Sequence, residues 1–420
     1  MKRYFTHTNF IYLVLLVYPA TVLLIKNING VIYILLTILG LINLFKERAK
    51  PITHDEKLLY IGLSALFLTS QFTTFFTDTE YKYIWVFVYL PLTILLYSYI
   101  KSISIKSTFF WYGLILGTLI SSGIALYEIN THHSRASGAT NAIIFGNLAL
   151  CMGTMSLASI GWFKQQNKWL IILPIITAIL GLVTCALSGT RGGLLSIPFI
   201  LIILLWYSKK HLSGKNIILI ATSMIALLSV LYAIPQTNIK KNINRTILSI
   251  EKYHQSEINS HLRLTSVGDR FEMWQAAWLI YTENPVIGVG WHNFKQHAQQ
   301  QVDKGLRNTK TGQFNHAHSQ YFSVLASGGT LNFISLILLF SILLYIFIKT
   351  ANNAKTPEGS QFVLAGLIFT IIYIVTSISS VPLERARPAN FFSFYLAFIL
   401  AFIYRFENGL ENSYGGKDIK

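Results

Sequence analysis

Two histidines stand two residues apart in Asn315-His316-Ala317-His318-Ser319-Gln320-Tyr321-Phe322, where a long polar loop gives way to an apolar run. A neutral imidazole can take a proton from a hydroxyl near pH 7, because its unperturbed pKa lies close to that pH. His318 is the candidate general base. His316, one step further into the loop, could orient it or touch substrate. A helix here puts His318, Tyr321, Phe322 and Leu325 on one face, so the fragment by itself favours a packed structural histidine. His132, His133, His254, His261, His292 and His297 fall in segments expected on the same side, which raises metal binding as a reading. No Asp, Glu or Cys adjoins the His-x-His pair, and neither an HExxH nor a paired-cysteine pattern occurs, so no metal is expected.

Arginines supply the complementary chemistry. Arg191 lies in Ser188-Gly189-Thr190-Arg191-Gly192-Gly193, between two apolar runs with almost no loop around it. An unpaired charge at that depth costs on the order of a few kcal/mol. Flanking glycines let backbone approach a ligand closely, and a guanidinium fork suits phosphate oxygens. Arg387, in Glu384-Arg385-Ala386-Arg387-Pro388, invites the same reading. Arg135, in His132-His133-Ser134-Arg135-Ala136-Ser137-Gly138, is a further candidate for substrate binding. For Arg135 and Arg385, reaching out to lipid phosphate or pairing with a carboxylate such as Glu384 explains the residue at least as well. Arg270 sits on Asp269–Tyr281, whose periodicity predicts an amphipathic helix on the membrane surface, with Trp274, Ala277, Trp278 and Tyr281 sharing its face. Asn284-Pro285 ends that helix, and Gly288-Val289-Gly290-Trp291 reads as a turn.

These residues must be held by a scaffold, and its nature is plain from composition. The chain has 420 residues, 53% hydrophobic and 12% charged, and a mean hydropathy of +0.50. A soluble protein would carry roughly twice that charged fraction. Runs of about the ~20 residues that a membrane span needs recur throughout. Twelve are expected: Phe10–Ile25, Val31–Phe45, Leu58–Phe76, Tyr83–Ile100, Phe109–Tyr127, Ala142–Phe163, Trp169–Leu187, Gly192–Tyr207, Asn216–Ile234, Gly328–Ile348, Phe362–Ser380 and Phe391–Tyr404. Met1-Lys2-Arg3 ahead of the first run resembles a signal peptide, but no small-residue cleavage site follows, so a retained span is expected. The expected organisation is nine spans over 1–234, a large loop over 235–317, three spans over 318–406 and a polar tail over 407–420. Basic segments such as Lys46–Lys50, Lys101–Lys106 and Lys349–Lys355 predict one cytoplasmic face holding both termini, with the loop outside. The +17 net charge then reflects topology and anionic lipid rather than nucleic acid, which is not an expected partner. Cys151 and Cys185, both in apolar runs, read as buried thiols rather than a disulfide.

The order of motifs carries a resemblance. Ser-Gly-Thr-Arg-Gly-Gly lies at a span junction, and Gly-Asp-Arg-Phe-Glu-Met-Trp and Asn-Pro-Val-Ile-Gly-Val-Gly follow in the large loop. His-Ala-His-Ser-Gln-Tyr-Phe then opens the next apolar run. The pattern, mainly over residues 185 to 350, resembles the bacterial O-antigen ligase and polymerase superfamily. The resemblance implies an all-α, polytopic membrane protein with about 12 transmembrane helices and a large periplasmic loop containing amphipathic helices. It also implies a multi-pass enzyme of the bacterial inner membrane whose site faces the periplasm. Such ligases move a glycan from undecaprenyl diphosphate to a sugar hydroxyl of lipid A–core, with no cofactor, metal or nucleotide. His318 matches the family's essential histidine, Arg191 and Arg270 match its arginines, and Arg387 matches an arginine after the penultimate span. Ser319 stands where many relatives have Asn. One base and direct displacement imply inversion at the anomeric carbon. The polymerase of the superfamily and a protein O-oligosaccharyltransferase are the nearest alternatives. A lipid-linked glycan transporter predicts charged residues along several spans, which are scarce here. No P-loop or acidic DxD-like cluster occurs.

Overall fold

Long apolar runs broken by short polar segments fold as helices, because a helix satisfies every backbone hydrogen bond within one segment. The computed structural model describes residues 7–46, 52–80, 83, 85–132, 135–209, 229, 232–233, 239–255 and 265–410. In chain order the helices are α1 (His7–Leu24), α2 (Ile28–Lys46), α3 (His54–Phe76), α4 (Tyr89–Ser102), α5 (Thr108–His132), α6 (Ala142–Ser156), α7 (Ile160–Gln166) and α8 (Ile172–Leu187). They continue as α9 (Arg191–Leu194), α10 (Ile197–Ser208), α11 (Ile239–Gln255), α12 (Gly268–Glu283), α13 (Phe294–Asp303), α14 (Gln320–Asn353), α15 (Pro357–Thr376) and α16 (Ala386–Glu407). No strand occurs among the described residues.

The chain is an all-α, multi-pass membrane protein. Among the described residues nine helical stretches are long and apolar enough to cross a bilayer: 28–45, 54–76, 108–131, 142–166, 168–187, 191–208, 320–353, 357–376 and 386–407. Of the other three expected spans, the first appears as the slightly short apolar α1 and the fourth as the 14-residue α4. The ninth, Asn216–Ile234, falls almost wholly outside the described residues. α15 and α16 form the centre of the bundle and are buried along nearly their whole length, whereas α2 turns most of its surface outward. One end of the bundle holds the buried Glu56, which pairs with Lys101 and accepts a 2.8 Å hydrogen bond from the Tyr97 hydroxyl. Asp55 and Lys349 pair at the same end at 2.7 Å. The other end carries the C-termini of α3, α5, α8 and α15, the N-termini of α6, α9, α14 and α16, and the helices of the large loop.

That loop is fastened by a break inside α14. Gly329 adopts φ +64° and ψ −167°, so the helix is interrupted one residue past the expected span start. The stretch from Pro285 to Gly290 lies in the gap: Val289 N–H donates to the Ala326 carbonyl at 3.0 Å and Gly290 N–H to Ser327 at 2.9 Å. In return Thr330 N–H donates to the Pro285 carbonyl at 2.8 Å. A Cβ on Gly288 would stand 2.5 Å from the Ser327 carbonyl carbon, and one on Gly329 2.4 Å from Val286 backbone, so both positions require glycine. α12 docks beside this seam with Met273, Ala276, Ala277 and Ile280 inward. Its expected shared face therefore splits: Ala277 is buried, while Trp278 is 53% exposed. Small residues allow α12 to approach α14, and the bulky rings are left to flank the contact.

Candidate functional site

The His-x-His junction is not helical. α14 begins at Gln320, and Ser319 caps it with extended backbone. The Gln320 N–H donates to the carbonyls of both Ser377 and Ser380 at 2.8 Å, across the turn that joins α15 to α16. The Gln320 side chain closes the clamp, donating to Glu384 Oε1 at 2.7 Å and accepting from the Leu383 N–H at 3.0 Å. A helix leaves its first N–H groups without internal acceptors, and here a neighbouring turn supplies them. The chain must bend sharply to enter that clamp, and His318 takes up the bend with φ +50°. The expected helical face shared by His318 and Tyr321 is therefore absent.

The bend places the two imidazoles against each other, with ring centroids 4.3 Å apart. His316 Nδ1 accepts the His318 backbone N–H at 3.0 Å, and Arg385 Nη2 lies 2.6 Å from His316 Nε2. A neutral imidazole has one acceptor nitrogen, so these two donors compete for it. The His318 side chain has no hydrogen-bond partner among the described residues and is free to receive one. Burial, then the neighbouring Arg270 and Arg385 charges, pull its pKa down to about 4. Burial, His318, Arg385 and His292 pull His316 to about 3. Both rings are thus neutral at pH 7 and offer lone pairs.

Arg191 and Arg270 converge on this junction. Gly192 packs so tightly on the end of α15 that a Cβ would stand 1.9 Å from Ser379 Oγ, which seats Arg191 beside the turn holding Gln320. Arg191 Nη1 donates to Thr246 Oγ1 at 2.7 Å. Arg270, on the first turn of α12, makes no hydrogen bond and no ion pair among the described residues. Burial lowers its pKa, and the nearby Arg191 and Arg135 charges lower it further. Carboxylates of the region are engaged elsewhere. Asp269 pairs with Lys310 at 2.5 Å, Glu272 accepts the Tyr253 hydroxyl at 2.9 Å, and Glu128 accepts the Ser137 and Gly138 N–H groups at 2.6 and 3.1 Å. Glu384 is pushed up to about 8 by burial, against the opposing pull of Arg385 and Gln320. Arg191, Arg270 and Arg135 thus stand in one another's field.

The other arginines divide differently from expectation. Arg135 donates from Nε to the Ser188 carbonyl at 2.8 Å and from Nη2 to Gly189 at 3.3 Å, so it caps the C-terminus of α8 while adding charge nearby. Arg387 donates to the Ala139 carbonyl at 2.7 Å and ties α16 to the turn before α6. Arg385, two residues earlier, is the one that reaches the histidines. Among the described residues no three His, Cys, Asp or Glu side chains gather as a metal-binding group. The side chains of His132, His133, His254 and His261 lie outside the described residues, and His292 stacks on Tyr83 at 3.7 Å.

At this end of the helical bundle, neutral imidazoles stand near several guanidinium groups. Residues 176–337 match the family model described as O-antigen ligase. The chain is also similar to an uncharacterized protein of Haemophilus influenzae, 26% identical over 362 residues that cover 84% of this chain and 88% of that one. The matched family segment includes Arg191, Arg270, His316 and His318; Arg135, Arg385 and Arg387 lie outside it.

Proposed function

We propose that the protein is an O-antigen ligase that transfers a glycan from undecaprenyl diphosphate to a sugar hydroxyl of lipid A–core on the periplasmic face of the inner membrane. The observation that carries this reading is Arg270, half-buried and without a hydrogen bond or ion pair among the described residues, close to Arg191 and the neutral His318. His318 accepts the acceptor hydroxyl proton as the oxygen attacks the anomeric carbon. The bond from that carbon to the diphosphate oxygen breaks, and the diphosphate leaves with the bonding electrons. Arg191 and Arg270 stabilise the charge it carries away, in the role a metal would otherwise fill. Direct displacement inverts the anomeric configuration. The lipid of the donor has an exit beside this cluster. A cleft of about 630 Å³ walled by Phe271, Trp274, Trp278, Phe322 and Phe333 opens next to Arg270, and its apolar surface suits a polyprenyl chain. The basic segments expected at the opposite end support a periplasmic orientation of the site.

The test is transfer in vitro. Purified protein in detergent is mixed with undecaprenyl-diphosphate glycan and lipid A–core, with EDTA and no nucleotide. Wild type is expected to form glycosylated lipid A–core of inverted configuration by NMR, and folded His318→Ala to lose at least about 100-fold in rate. Retention at the anomeric carbon refutes single displacement. Glycan lengthening on the carrier identifies a polymerase instead. A His318→Ala variant as active as wild type overturns the site.

A further inference from the structure

The imidazole of His316 is flanked by two groups that can only donate. The His318 backbone N–H meets its Nδ1 at 3.0 Å, and Arg385 Nη2 meets its Nε2 at 2.6 Å. Burial keeps the ring neutral, so it carries one N–H and one lone pair. It can serve only one of the two donors at a time. With the proton on Nε2, the lone pair at Nδ1 accepts the His318 N–H and closes a side-chain turn around the bend at φ +50°. With the proton on Nδ1, the lone pair at Nε2 accepts Arg385, and the His318 N–H faces another N–H. That backbone N–H has no other acceptor among the described residues, and a bend of this sign is uncommon outside glycine. The ring therefore holds the bend in the first tautomer only. Arg385 has the stronger claim in the protein alone: its contact is the shorter, and a charge-assisted bond is roughly twice as strong as a neutral one. Arg385 is also exposed, donates to no other group among the described residues, and lines one cavity with both histidines. Its remaining N–H groups are open to an anion that enters there.

We propose that Arg385 senses the anionic group of the substrate and that His316 relays its arrival to His318: an anion that draws Arg385 away lets the ring accept the His318 N–H and fix the bend. That the anion is the donor's diphosphate rests on the ligase reading above. As Arg385 leaves, the ring gives its Nδ1 proton to water and takes one at Nε2, so its charge does not change. The new Nε2–H points to where Arg385 stood and can donate to the same anion. His316 is a positioning residue in this scheme. It moves no proton of the reaction, and it sets the backbone from which the His318 imidazole projects. The base is then held firmly only once the leaving group is in place.

The experiment reads the tautomer directly, from the 15N shifts of the His316 ring in histidine-labelled, full-length protein in detergent. His316→Gln assigns the signal, and inorganic pyrophosphate is the probe. Wild type alone is expected to carry the proton on Nδ1, and wild type with saturating pyrophosphate to carry it on Nε2. Arg385→Met is expected to show Nε2–H with and without the probe, and to bind pyrophosphate at least about tenfold more weakly by calorimetry. A wild-type ring that keeps one tautomer throughout the titration, a result that needs no variant to be folded, overturns the proposal. So does an Arg385→Met protein that still carries Nδ1–H or binds the probe as tightly as wild type. Failure of the ligase reading looks different: the tautomer changes with pyrophosphate, yet no glycan reaches lipid A–core, and the relay then serves another anionic substrate.

Discussion

The protonation of His318 is the sharpest handle on the site. Its pKa of about 4 lies well below the ordinary imidazole value of ~6.5, which favours the neutral ring. Burial is the largest cause and Arg270 the second, with Arg385 behind it. Protonation adds a positive charge beside existing ones, so removing Arg270 must raise the pKa. It recovers only the smaller share, on the order of one unit, because burial remains. Arg385→Met is expected to raise it less than Arg270→Met. A bound diphosphate cancels the same field and is expected to carry His318 back toward ~6.5. By linkage, each unit of that rise is tenfold tighter anion binding to the protonated protein, so pyrophosphate affinity increases as pH falls through this window. Turnover needs the neutral ring and moves the opposite way. The acid limb of kcat/KM, which reports the free protein, is expected near 4, and that of kcat, which reports the complex, at higher pH. The assay is a pH titration of histidine 13Cε1 shifts in labelled protein, with His318→Asn to assign the signal, repeated with pyrophosphate. A free-state value near 6.5, or a fall on Arg270→Met, refutes the electrostatic account.

Two further outcomes test the scaffold. Alanine at Gly288 or Gly329 must push Cβ into backbone about 2.5 Å away, whereas Gly305, also at positive φ, has open space around it. Gly305→Ala should therefore cost about 1 kcal/mol, while Gly288→Ala and Gly329→Ala should cost at least ~2–3 and release the loop to protease with the bundle still helical by circular dichroism. Glu384, held at about 8, is protonated at neutral pH, so Glu384→Gln should retain its bond with Gln320 and near-normal transfer at pH 7. The folded state keeps a proton that the unfolded carboxyl loses near ~4.3, so wild-type stability falls as pH rises from there to about 8. The loss is on the order of 1–2 kcal/mol, reduced from the full window because the carboxyl is only partly buried and faces Arg385. Melting curves across that range should slope for wild type and lie flat for the glutamine variant.

Charge made part of the site legible in the sequence. Arg191 stood out because no loop surrounds it, and Arg270 because it accompanies a periodic aromatic segment. His316 and His318 stood out as a pair at a polarity boundary. What escaped was decided by partners far away in the chain. Nothing local distinguishes Arg385 from Arg387; one meets His316 and the other the Ala139 carbonyl only because α16 starts between them. His318 looked helical because apolar spacing continues through it, yet carbonyls of Ser377 and Ser380 fix where the helix begins. The helix break at Gly329 could be placed within one residue as a span boundary, but its use as a socket for Pro285–Gly290 depends on a segment some forty residues earlier.

These observations bear on why the site is cationic rather than balanced. A nearby carboxylate would stabilise Arg270 in the empty protein, and it would also raise the His318 pKa and compete with an incoming diphosphate. Asp269, immediately before Arg270, is instead drawn away by Lys310, and Glu384 is kept protonated. The guanidinium groups of Arg191, Arg270 and Arg135 stand in one another's field. In the proposed reaction an arriving diphosphate relieves that repulsion, and its charge-assisted hydrogen bonds, each about 1.5–3 kcal/mol, add to the relief. In the proposed reaction the charge on the bridging oxygen grows only as the glycosidic bond breaks, so cations fixed beforehand favour the transition state over the bound donor. Arg270 is expected to contribute most to this difference, because among the described residues it is the arginine of the cluster that donates no hydrogen bond to the protein.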